Sequence, residues 1–137
     1  MIFISSLVGR ISVPFLASYC MTKFSLSGGA NALRQELHKV TKNVHVSLVE
    51  PGGYPTGFNQ KNIAKKYEWM GEESYFNEII EDIRAQEERV FSRTELKSTK
   101  TVVDKIVKAV ESRKPKLRYV VLWWQGSLVQ LRRIFGK

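Results

Sequence analysis

Long apolar runs are scarce in this chain. None approaches the ~20 residues that cross a bilayer as a helix, and the opening MIFISS has neither the basic leader nor the long apolar stretch of a secretory signal. Cysteine is nearly absent: the single Cys20 excludes an internal disulfide framework and fits a reducing compartment. These absences point to a cytoplasmic protein, with peripheral contact at a membrane surface left open. Acids are scarce in one region only. Residues 1–92 hold ten Lys/Arg and ten Asp/Glu, whereas residues 93–137 hold twelve against three and carry the whole net charge of +9. A surface so biased either meets something anionic or is a solvated basic face.

What is present reads as one globular domain. The chain has 137 residues, 43% of them hydrophobic and 26% charged, enough for a core but few for a two-layer enzyme. Ile2-Phe3-Ile4 predicts a buried strand that ends at Ser5-Ser6. A helical pattern follows from about Ser18 to Val40, with Leu26, Ala30, Leu33 and Leu37 on one face. Gly28 and Gly29 interrupt it at roughly 1 kcal/mol each relative to alanine, so a close neighbour is expected there. Residues 44–49, VHVSLV, read as a strand in a covered sheet, and Glu50 to Pro55 as a loop. Tyr75, Phe76, Ile79, Ile80 and Ile83 suggest an apolar face on an acid-rich helix, whose Glu72, Glu73, Glu78, Glu81, Asp82, Glu87 and Glu88 would form a solvated face. A helix through Val102 to Val110, capped by Ser98 or Thr101, precedes a strand at residues 117–122 and a short basic helix from Ser127 to Phe135. This alternation is that of a parallel α/β sheet. Three strands are few for that class, which suggests half of a domain.

One spacing carries chemistry. Tyr19 and Lys23 are four apart, so on a helix they share a face with Cβ atoms roughly 5–6 Å apart. A phenol ionises near pH 10 and is a poor proton shuttle at neutrality. Bringing such a group to about 7 takes roughly 4 kcal/mol, which one ammonium about 4 Å away supplies at an effective dielectric near 20. A hydroxyl at a strand end, Ser6 thirteen residues before Tyr19, could hydrogen-bond a substrate carbonyl beside it; Ser5 is the alternative, less well spaced. Cys20 reads as a packing residue, and His38 and His45 have no cysteine with which to form a metal site.

With Gly9, Pro14, Leu26, Gly28 and Leu33-Arg34-Gln35-Glu36-Leu37 in order, the segment from Ile4 to Leu37 resembles the catalytic segment of the short-chain dehydrogenase/reductase family. The loop Pro51-Gly52-Gly53-Tyr54-Pro55-Thr56 resembles that family's nicotinamide loop, with Pro55 removing one backbone donor. Residues Arg113 to Val121 resemble the last-strand region of members acting on lipophilic alcohols and ketones. The resemblance implies hydride transfer between NAD or NADP and an alcohol or carbonyl. Tyr19 would be the acid–base group, Ser6 would orient the substrate oxygen, and Lys23 would lower the tyrosine's pKa and hold the nicotinamide ribose. Pro51, Gly52, Tyr54 and Thr56, with Tyr19 and Lys23, would contact the cofactor. No metal is implied.

The family's glycine-rich turn, where a pyrophosphate meets a helix N-terminus, has no counterpart in these residues. Its catalytic asparagine is missing too, since Asn31 and Asn43 lie downstream of Tyr19. The implied fold is therefore the C-terminal half of a Rossmann-type doubly wound parallel sheet, three strands with flanking helices, without the dinucleotide-binding half. Residues 1–60 would hold the catalytic strand, helix and nicotinamide loop, 61–97 a cap over a lipophilic substrate, and 98–137 the last helix, last strand and basic tail. Alone, such a chain is expected to bind NAD(P) weakly and to oxidise nothing measurable. Partners would be a small alcohol or ketone, a second copy or an N-terminal half, and not nucleic acid, for which no reading motif exists. A non-catalytic remnant acting by association is the rival reading. The tail from Trp123 to Lys137 would either lie in a membrane interface or cover the substrate pocket or a second subunit, the latter being favoured.

Overall fold

The computed structural model describes residues 1–54 and 56–136. Pro55, with its missing amide, and Lys137 of the tail lie outside the described residues, as do the side chains of residues 59, 60, 62 and 63. The chain divides into two units, Met1–Gly52 with Lys100–Lys137, and Gly53–Thr99.

The first unit is built on three parallel strands in the order β1 (Ile2–Ile4), β2 (Ser47–Glu50), β3 (Arg118–Val120). Phe3 pairs with Leu48, and Val49 with Tyr119. All four residues of the central strand β2 are buried, as expected where both faces of a parallel sheet are covered. Helix α1 (Ala17–Val40) packs Ala30, with Leu33 and Leu37, onto Val46, Leu48, Phe3 and Leu117. Its apolar positions recur every three to four residues, which gathers them on the side facing the sheet. Arg34 fixes the same helix polar-wise, donating to the carbonyls of Val46 at 2.6 Å and Pro115 at 2.9 Å. Helix α4 (Lys100–Glu111) packs on β2 and β3, and α5 (Trp123–Phe135) on β3. The result is the α/β arrangement expected, a three-stranded parallel sheet flanked by helices.

Several local expectations are corrected. A Cβ at Gly28 or Gly29 would meet nothing within 4 Å, so no described residue packs there. Glu50 is the last residue of β2 and has no exposed surface, rather than opening the loop. Strand β2 begins at Ser47, three residues later than the alternation suggests, and β3 is shorter than residues 117–122. Helix α5 starts at Trp123, four residues before Ser127.

In the second unit, α2 (Phe58–Trp69), a 3-10 turn (Asn77–Ile79) and α3 (Ile80–Thr94) follow one another. Tyr75 and Phe76 precede the helix and stand exposed instead of joining its apolar face, leaving Ile83 buried. Nor are all the acids of α3 solvated. Glu87 pairs with Lys66 and accepts from the Tyr67 hydroxyl at 2.9 Å. Burial first, and then the Glu87 hydrogen bond and charge, push the Tyr67 phenol far above its ordinary range.

Candidate active site

Ser5 and Ser6 leave β1 in opposite directions, because successive side chains on an extended backbone alternate. The buried Ser5 hydroxyl shares a 3.0 Å hydrogen bond with the Ser27 hydroxyl on α1. Ser6, extended at φ −163°, caps the 3-10 turn Leu7–Gly9 by accepting from the Val8 amide at 3.2 Å. The Ser5 hydroxyl thus ties β1 to α1, while Ser6 faces the turn.

That turn needs glycine. A Cβ at Gly9 would stand 2.8 Å from the Lys23 carbonyl, 2.7 Å from Ser27 Oγ and 2.9 Å from Ser5 Oγ. The absence of a side chain is what lets the turn close against the α1 backbone at Lys23 itself. Lys23 reaches back to β1 and donates to the Ile4 carbonyl at 3.2 Å. Its Nζ also lies over the Tyr19 ring, 5.6 Å from the centroid, within cation–π range. Cys20 is buried with Sγ 3.9 Å from the Val13 carbonyl, a packing position. The structure therefore brings Tyr19 and Lys23 side by side, at the strand end that carries Ser6.

The end of β2 arrives at the same place. The Leu7 amide donates to the Pro51 carbonyl at 3.1 Å and the Ser5 amide to the Val49 carbonyl at 2.9 Å. Gly52 lies under Gln125 of α5, whose Oε1 would sit 2.7 Å from a Cβ at that position. Tyr54 and Thr56 belong to the second unit, where Tyr54 is buried and accepts from the Thr56 amide at 2.8 Å.

Sequence reasoning missed a charge cluster at the end of β2. Glu50, wholly buried, pairs with Arg118 of β3 and, at 3.5 Å, with Arg10 just past the Ser6 turn. Arg10 also donates to Gln130 of α5 at 2.6 Å. The signal was a lone acid closing an apolar strand, since a carboxylate so placed must find a cation. Among the described residues no group of three or more His, Cys, Asp or Glu could hold a metal. His38 and His45 lie edge to face, 6.3 Å between centroids. No described helix is long and apolar enough to cross a membrane.

The donor set fits one end of a nicotinamide dinucleotide. Lys23 offers an ammonium beside a phenol at the carboxyl end of parallel strands, where open α/β sheets bind ligands. No described element offers a glycine-rich helix start to the pyrophosphate end; Leu16 stands at the N-terminus of α1 without a side-chain cap.

Comparison with known proteins bears on the family. The family model for short chain dehydrogenase matches residues 1–67. An uncharacterized oxidoreductase, YbbO, of Escherichia coli K12 is 31% identical over 130 residues, 95% of this chain and 42% of its own. The mitochondrial D-beta-hydroxybutyrate dehydrogenase of Rattus norvegicus is 28% identical across 88% of this chain and 38% of its own. The 3-ketodihydrosphingosine reductase of Dictyostelium discoideum is 38% identical over 69 residues, 49% of this chain and 20% of its own. The chain thus spans about two fifths of the length of the first two relatives. On its serine-to-lysine segment, its parallel sheet and these matches, the chain belongs to the short-chain dehydrogenase/reductase family, a family of oxidoreductases.

Proposed function

We propose that these residues form the proton-transfer and nicotinamide-side portion of an NAD(P)-dependent oxidoreductase acting on a lipophilic alcohol or ketone. The observation that carries the reading is Lys23, held between the Ile4 carbonyl and the Tyr19 ring. Tyr19 exchanges a proton with the substrate oxygen, and Ser6 donates to that oxygen and orients it. Lys23 keeps a positive charge beside the phenol and hydrogen-bonds the cofactor's ribose. Pro51, Gly52, Tyr54 and Thr56 contact the nicotinamide end. When bound, the cofactor supplies or accepts the hydride.

The lipophilic preference rests on the many large apolar side chains of the second unit, among which Trp69 and Tyr75 are exposed. The names of relatives, a sphingosine-type reductase and a hydroxysteroid 11-beta-dehydrogenase 1-like protein of Gallus gallus, support it. Because these 137 residues hold no pyrophosphate turn, they bind NAD(P) weakly by themselves and turn over no substrate. A saturable change in NADH fluorescence at micromolar concentration would contradict that statement.

The decisive experiment joins residues 1–137 in frame behind the dinucleotide-binding half of the YbbO relative and follows NADPH oxidation with long-chain and short-chain ketones. Turnover should favour the long-chain ketones and fall about 10²–10⁴-fold in Tyr19→Phe. Equal rates in the fusion and its Tyr19→Phe variant would remove the phenol from the mechanism. A second reading, a non-catalytic remnant acting by association, draws on the open side of α1 at Gly28 and Gly29, beside exposed Met21 and Phe24. Cofactor titration together with sizing chromatography of the isolated chain separates the two readings.

A further inference from the structure

Helix α5 buries one side and exposes an apolar one. Gln125 and Val129 are buried against the body of the first unit. On the other side, Trp123, Trp124, Leu128, Leu131, Ile134 and Phe135 all stand exposed, Trp123 at 80% and Phe135 at 78%. At 3.6 residues per turn these six side chains fall within one arc of about 140°. Leu128, Leu131 and Phe135 line an open groove together with Arg132. The tail was expected to be covered; no described residue covers this arc.

Charge indicates what does. From Ser112 to the C-terminus the sequence has seven Lys/Arg and no Asp or Glu. Arg132 follows the apolar arc directly around the helix, beside Leu128, and Arg133 lies beyond its opposite margin. A second copy laid face to face on this arc would add two more arginines and no acid to the contact, leaving like charge uncompensated. A nucleic acid would use the arginines but leave the six apolar side chains in water. A bilayer surface of anionic lipid uses both: apolar side chains enter the acyl boundary, indoles settle at headgroup level, and arginines meet the phosphates and carboxylates. The helix is 13 residues long, about 20 Å, which suits lying along the surface and not crossing it. We propose that α5 docks this chain on an anionic membrane surface through the face opposite Val129. This inference stands apart from the catalytic reading and uses none of its residues.

The test is co-sedimentation of the full chain with vesicles of phosphatidylcholine alone or mixed with phosphatidylserine. The chain should sediment with the mixed vesicles, less with the neutral ones, and release as salt rises. Arg132→Gln and Arg133→Gln should each weaken binding about fivefold. Leu131→Glu with Phe135→Glu should abolish it at unchanged circular dichroism. Lys39→Gln with Lys42→Gln removes two charges at and just past the far end of α1, more than either arginine change, and should leave binding close to that of the unaltered chain. In a Trp69→Phe background, the emission of Trp123 and Trp124 should shift to the blue on mixed vesicles. Should the Leu131/Phe135 variant lose its fold, the arginine and lysine pairs still decide the matter. Equal binding to neutral vesicles, equal loss in the Lys39/Lys42 variant, or no sedimentation at all would overturn the proposal. So would a concentration-dependent dimer that disappears in the Leu131/Phe135 variant, or retention on RNA without vesicle binding.

Discussion

Replacing Glu50 by glutamine tests how the loop carrying Ser6 is held. The carboxylate has no exposed surface, and its two arginine partners are only 12% and 27% exposed in their side chains. Removing one member of a buried ion pair costs about 3–5 kcal/mol, because the remaining charges stay out of water without compensation. Here both guanidiniums keep some access to solvent, and the amide keeps one acceptor oxygen. The expected loss is therefore at the lower end, about 3 kcal/mol. With a urea slope of roughly 2 kcal/mol per molar, the unfolding midpoint followed by circular dichroism falls by about 1.5 M. The loss has a local signature as well. Arg10 links Glu50 to the Ser6 turn and to Gln130, so protection of the Leu7 amide, which donates to Pro51, should fall more than that of amides in α4. Replacing Arg10, Glu50 and Arg118 together by methionine or leucine should recover most of the stability, since apolar groups of similar volume need no counter-charge. A Glu50→Gln cost below about 1 kcal/mol would mean the cluster behaves as a surface pair, and the reasoning about its burial would fail.

Gly9→Ala should cost about 1–3 kcal/mol by overpacking against the Lys23 carbonyl, whereas Gly28→Ala should gain about 1 kcal/mol of helix propensity in open space. Thermal melts compare the two directly, and a loss at Gly28 would show that something occupies that side of α1. In an ultraviolet pH titration, one of the five tyrosines should resist ionisation after the others, and Glu87→Gln should bring it back toward them. Because the folded-state pKa of Tyr67 is raised, the stability it contributes is intact below about 10 and is lost as pH climbs above that value. Chemical denaturation midpoints in that alkaline window should fall less in Tyr67→Phe than in the unaltered chain.

Local periodicity was legible in the sequence because it needs no distant partner. A four-residue step on a helix places Tyr19 beside Lys23 whatever surrounds them. The same periodicity marked Ala30, Leu33 and Leu37 as the face of α1 that meets the sheet. The boundaries of β2, β3 and α5 were less legible, since end residues are decided by which strand or helix they meet.

Pattern within a few turns of chain was enough to set the order of elements, the parallel sheet and the Ser–Tyr–Lys spacing. Packing between distant segments settled which glycines matter. Gly9 is pressed against another backbone and Gly28 faces open space, though the two residues are chemically identical. It also decided the partners of Glu50, which come from 40 residues before it and 68 after, and the exposure of Tyr75 and of the outer side of α5. Burial and pairing across such separations depend on where the whole chain comes to rest, and no local period encodes that.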